Sequence, residues 1–212
     1  MRRPRRTELL LLAILFLLPA LALPHLPERV PIHWNARGEA DDWARRWIGA
    51  FALPAVGALT WALTRWVSSR VPTAEELPRR ALARLNAGLL GFFVLLEAVT
   101  LAATLGVPVP IDRVTVGLLG LGFVGATRLL SRIPPNPWIG VRTPWTLRDD
   151  RVWELTHRMT VPLGATAGGL TAAAAFLPRP WHLVVGIAAV LGGGLVAVLY
   201  SYLIRDREGG AG

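Results

Sequence analysis

The chain alternates long stretches almost free of charge with short segments where arginines gather, and this alternation limits the available folds more than any single motif does. A helix crosses a bilayer's hydrocarbon core with about 20 consecutive apolar residues. Six stretches come near that length: 9–23, 48–67, 85–105, 114–130, 159–177 and 181–204. The third, fifth and sixth are the plainest. The first is short, and the fourth carries Arg128 near one end, where a long side chain reaches the headgroups. Of 212 residues, 53% are hydrophobic and only 17% charged, the profile of a polytopic membrane protein. The expected fold class is all-α, with six transmembrane helices.

The opening MRRPRR, an apolar run and then Ala20-Leu21-Ala22 also has the form of a cleavable signal peptide. The first span of a multi-pass protein carries the same basic flank, and that reading is preferred. All 23 basic residues are arginine, and the net charge is +9. Such a charge invites a nucleic-acid reading, but these arginines flank apolar spans and form no soluble basic face, so direct nucleic-acid binding is not expected. With no cysteine, disulfides, thiolate metal sites and a cysteine nucleophile are excluded.

Arginine placement sets the expected orientation. With the N-terminus in the cytoplasm, seventeen arginines fall inside, and only Arg29, Arg37, Arg45, Arg46, Arg113 and Arg179 fall outside. The positive-inside rule then puts both termini in the cytoplasm. Loop 24–47 lies outside and loop 131–159 inside. Within the spans, Gly164, Gly168 and Ala172, and likewise Ala189, Gly193 and Ala197, form small-residue stripes that let helices approach closely. Gly120, Gly122 and Gly125 match a dinucleotide-binding pattern in form only, since no soluble strand-helix-strand unit surrounds them.

The segment 131–159 is unlike its surroundings. Pro134, Pro135 and Pro137 favour an extended path. Thr146 and Asp149 stand in capping-box relation, which predicts a helix from about Leu147. Val152, Leu155 and Met159 would share its apolar face. Trp138, Trp145 and Trp153 suit an interfacial belt among membrane lipids. Gly140 and the prolines on both sides of Arg142 exceed what a belt needs and point to a shaped surface.

Other features carry less. His33, Asn35, Glu39, Asp41 and Asp42 in the outer loop lack a recognised metal-ligand spacing, and 35–38 reads as a turn, so no metal or cofactor is expected. Glu97 is the one acid well inside an apolar span, where it is either a binding or coupling residue or a hydrogen-bonded structural acid. A transporter or channel would show several intramembrane polar groups or broken helices in matching halves. A membrane-embedded enzyme would show paired aspartates, H-E-x-x-H or G-x-S-x-G, and none is present. His157 as a base has no nucleophile beside it.

The string NPWIGVRTPWTLRDDRVWELTHRM resembles the signature of the SdpI family of bacterial membrane proteins. The outer loop LPERVPIHWNARGEADDW is similar to the N-terminal domain that precedes this signature in many members. The resemblance implies a two-helix domain over 1–70 and a four-helix domain over 82–212. It also implies immunity to a secreted antimicrobial peptide toxin, capture of a transcriptional repressor at the membrane, signal transduction, and no enzymatic activity. A small-solute or ion transporter is the alternative, ahead of an enzyme. The matched positions are Asn136, Ile139, Gly140, Arg142, Thr143, Pro144, Trp145, Trp153, Thr156, His157 and Arg158 in the inner loop, where Trp138, at an open position of the motif, joins them as a candidate. In the outer loop they are Pro27, Pro31, His33, Trp34, Asn35, Gly38 and Asp41. Neither the partners' identities nor the oligomeric state follows from the sequence.

Overall fold

The computed structural model describes residues 5–71 and 76–208. Arg2 and Arg3, counted above for orientation, lie outside the described residues. Six long helices dominate: α1 (Arg6–Ala22), α2 (Arg46–Ser68), α3 (Glu76–Thr104), α4 (Ile111–Leu130), α5 (Asp150–Ala174) and α6 (Trp181–Glu208). Five of them, all but α5, are long and apolar enough to cross a membrane. The helical, multi-pass expectation therefore holds.

Two corrections follow. The outer loop, expected to hold only a turn within an all-α fold, carries strands: β1 (Arg29–Trp34) and β2 (Ala40–Arg45) form an antiparallel hairpin, so the fold is helical with a small sheet. Pro31 sits in a two-stranded ribbon, where a missing N–H is tolerated because each strand is an edge. The second correction concerns α5, expected among the plainest spans. Asp150, Arg151, Glu154, His157 and Arg158 crowd its first turns, and glycine, alanine and threonine fill much of the rest. Its chief neighbours are α4 and α6.

The small-residue stripes do what close approach requires. A Cβ on Gly120 would strike the α5 backbone at Ala172 and Gly168, and one on Gly164 would strike the Thr127 side chain. Gly193 faces Ala167 in the same manner. Gly120, the first of the formal dinucleotide triplet, is thus a helix-packing residue. Thr171 adds an interhelix hydrogen bond, its hydroxyl lying 3.1 Å from the Gly186 carbonyl oxygen.

α3 packs against α1, α2 and α4. Two apolar clusters mark its ends. Leu26, Val30, Ala50 and Leu101 join the hairpin root to α2 and α3. Val71, Leu82 and Ile133, with Ile139 against them, lie beneath the 131–149 segment. At 1.5 Å per helical residue, Leu82 and Leu101 are about 28 Å apart. Hairpin and signature loop therefore occupy opposite ends of the molecule.

Candidate functional site

Asn136 organises the signature loop. It is buried, its amide nitrogen donating to the carbonyls of Pro134 (2.8 Å) and Ile139 (3.2 Å). Its amide oxygen accepts from the N–H groups of Trp138 (2.9 Å) and Ile139 (2.8 Å). One side chain thus satisfies four backbone groups that a proline-broken segment cannot pair with itself.

The chain then crosses His157. Nε2 of that ring accepts the Val141 N–H at 3.0 Å, and Nδ1 lies 2.9 Å from the Trp153 carbonyl oxygen. A ring nitrogen facing a carbonyl must carry the hydrogen, so the ring is the neutral Nδ1–H tautomer with both nitrogens engaged. Trp153 is buried and stacks on it, ring centroids 4.0 Å apart, and donates its own N–H to the Ile133 carbonyl at 2.9 Å. Gly140 passes directly over the imidazole at φ +117°, where a Cβ would collide with Nε2.

Thr143 and Thr146 close the next turn. The fully buried Thr146 hydroxyl accepts from the Thr143 N–H (2.8 Å) and donates to the Val141 carbonyl (2.8 Å). This overturns its expected role as a cap. Asp149 is the N-cap of α5 and accepts from Arg151 N–H (2.7 Å) and Val152 N–H (3.0 Å). The helix accordingly begins at Asp150 rather than Leu147. Its buried face is Val152, Trp153, Thr156 and His157; Leu155 and Met159 are only half-buried.

The tryptophans do not form one belt. Trp153 is core, Trp145 donates to Ser201 Oγ on α6 at 2.8 Å, and Trp138 meets Trp66 of α2 edge-on. The loop is pinned to three helices. Arg142 differs from its neighbours in the motif: exposed, it gives one N–H to the Pro137 carbonyl at 2.8 Å and keeps the rest of its guanidinium outward. Asp149, an acid nearby in the chain, is engaged in capping. Arg158 is exposed beside Glu154.

At the other end, the Asn35–Gly38 turn forms as expected. Asn35 Oδ1 accepts from Arg37 N–H (2.8 Å) and Glu39 N–H (3.1 Å), and Gly38 takes φ +73°. His33 pairs with Asp41 at 2.6 Å. Gly38 presses on a group not foreseen from sequence. Asp112, at the start of α4, receives Nε and Nη2 of Arg179 at 2.6 and 2.8 Å, and His182 Nε2 of α6 lies 3.2 Å away. The carboxylate holds the Arg179 proton more firmly than usual, chiefly through that hydrogen bond. A Cβ on Gly38 would come within 2.7 Å of Arg179 Nη2 and 2.8 Å of Asp112 Cγ. Beneath the hairpin lies a cavity of about 460 Å³, walled by Ile32, Trp34, Leu53, Leu96, Thr115 and Leu119 among others. The cue for this cluster was weak: single polar residues just outside two spans, which sequence alone cannot pair.

Glu97 is 1% exposed and one of its carboxyl oxygens has no hydrogen-bond partner among the described residues. A second buried acid was missed because it borders the first span. Glu8 of α1 accepts from Arg65 (2.9 Å) and Trp61 (3.2 Å) of α2. No group of three or more metal-ligating side chains is present among the described residues.

A model described as the SdpI/YfhL protein family matches residues 132–202, and a domain of unknown function, DUF1648, matches 10–58. The chain is similar to the immunity protein SdpI of Bacillus subtilis (strain 168), with 28% identity over 205 residues that cover 96% of this chain and 97% of that protein. No solved structure matches significantly.

Proposed function

We propose, from the SdpI/YfhL family model that matches residues 132–202 and the similarity along nearly the whole chain, that this is a member of that family and an integral membrane immunity protein. It protects the cell that carries it from a secreted antimicrobial peptide and offers its signature loop to a cytoplasmic transcriptional repressor. Similarity to an immunity protein along 96% of the chain is the observation that carries this reading. The build of the loop supports it. Asn136, Thr146, His157 and Trp153 hold the backbone, and Arg142 stands on that frame with most of its donors free among the described residues. A pre-oriented guanidinium fits a carboxylate on an acidic protein surface through two parallel hydrogen bonds.

The role is binding rather than catalysis. A general base needs a free lone pair within reach of a substrate proton, and both nitrogens of His157 are engaged by backbone. The orientation that suits this function has both termini and the signature loop in the cytoplasm and the hairpin outside. Expression in a sensitive host, challenged with a membrane-active peptide encoded near the gene, tests the proposal. Tolerance should rise, while purified protein in proteoliposomes moves no solute. Saturable uptake of an ion or metabolite, for which the buried Glu97 carboxyl would be the natural carrier, overturns it.

A further inference from the structure

The root of the hairpin concentrates positive charge in a way the fold does not neutralise. In the strand register Arg29 stands directly opposite Arg45, and like charges so placed repel. Arg46 follows as the first residue of α2. The three arginines, with Glu28 and Trp47, line a cleft of about 350 Å³. Among the described residues none of their guanidiniums forms an ion pair or hydrogen bond, and Glu28 is not within ion-pair reach of them. The start of α2 adds to the repulsion. Its first turn contains no acidic residue, its N-cap is Arg45 and no side chain caps it, although the positive end of a helix dipole favours anions and opposes cations.

Position identifies the missing charge. Arg46 begins a stretch long and apolar enough to cross the membrane, so the cleft opens at headgroup depth. The exposed indole of Trp47 (59%) suits that interface. We propose that this arginine cleft is a phosphate-binding site, occupied by the headgroup of an anionic phospholipid. Arg29 and Arg45 clamp the phosphate oxygens from the two strands, Arg46 closes the third side, and Trp47 rests on the glycerol and upper chain region. Lipid phosphate lies on both faces of a bilayer, so the site does not depend on the orientation proposed above.

The test uses the full chain, purified in neutral detergent, with thermal unfolding read from tryptophan fluorescence and retained lipid read by native mass spectrometry. Phosphatidylglycerol should raise the unfolding temperature and remain bound, and phosphatidylcholine should do neither. In the double variant Arg29→Gln/Arg45→Gln, lipid-free protein should unfold at the same or a higher temperature than wild type, because a repulsion has been removed. Its retention of phosphatidylglycerol should fall at least about tenfold. Arg37→Gln, at the hairpin tip, should retain lipid as wild type does. Inorganic phosphate distinguishes the sources: no stabilisation at millimolar levels supports the lipid, whereas stabilisation that displaces phosphatidylglycerol assigns the site to free phosphate instead. Equal retention by wild type and the double variant overturns the site. So does a lower unfolding temperature for the lipid-free variant, which would make the arginines structural.

Discussion

Gly140 lies over the imidazole of His157 with a backbone angle that side chains rarely adopt, and a methyl group there has nowhere to go. Gly140→Ala should cost roughly 1–3 kcal/mol from backbone strain alone, seen as a lower unfolding temperature in detergent. His157→Leu leaves the half-buried Val141 N–H unpaired and should cost about 1 kcal/mol or more, whereas His157→Gln, which keeps an acceptor, should be milder. Equal losses from both His157 changes would mean that packing on Trp153, not the hydrogen bond, sets the effect. Arg142→Lys separates structure from function. Its abundance and unfolding should match wild type while protection or repressor capture falls, and Arg148→Lys should change neither. Equal, mild effects from the two lysine variants would reduce the arginines to generic interfacial charges. The sequence showed that this loop is shaped; it did not show by what. Asn136 and Thr146 act through backbone groups whose positions exist only once the turn has closed, so nothing in their spacing announces the role.

The hairpin rests on Asp112 and Arg179 through a glycine, and its fit depends on the absence of a side chain. Gly38→Ala should lift the tip and open the cavity below. The chain has no cysteine, so a single cysteine introduced at Thr115, on the cavity wall, reports the change. It should react with a water-soluble maleimide several-fold faster in the Gly38→Ala background, and an unchanged rate would show that the tip tolerates the added methyl. Helices were readable from composition and length, and the close-packing stripes from four-residue spacing. The strands were not. Pro31 breaks the pattern of one, and Asp41, Asp42 and Arg45 make the other polar on both faces, so neither shows the apolar alternation that marks a strand. The start of α5 was misplaced for a related reason: Thr146 and Asp149 both have capping chemistry, and only the tertiary bond from Thr146 to Val141 decides between them.

The two ends of the molecule share the same helices. α4 begins at the Asp112 cluster and leads into the signature loop; α6 carries His182 of that cluster in its first turn and meets Trp145 of the loop through Ser201. Reporter fusions after Arg70, Arg148 and the C-terminus should give cytoplasmic signals and one after Arg37 an external signal. An external signal at Arg148 would reverse the orientation. The sheltered position of α5 also bears on how the protein is made. A helix whose surface is largely glycine, alanine and threonine, with charges in its first turns, gains little from lipid on its own and is stabilised by neighbours that already lie in the bilayer. During synthesis α4 is available before it, but α6 emerges only after it. Stable integration of α5 should therefore wait for α6. A chain ended at residue 178 should leave α5 accessible to protease at the translocon, and extending it through residue 205 should restore protection. Full protection of the shorter chain would mean that α4 alone suffices as a partner.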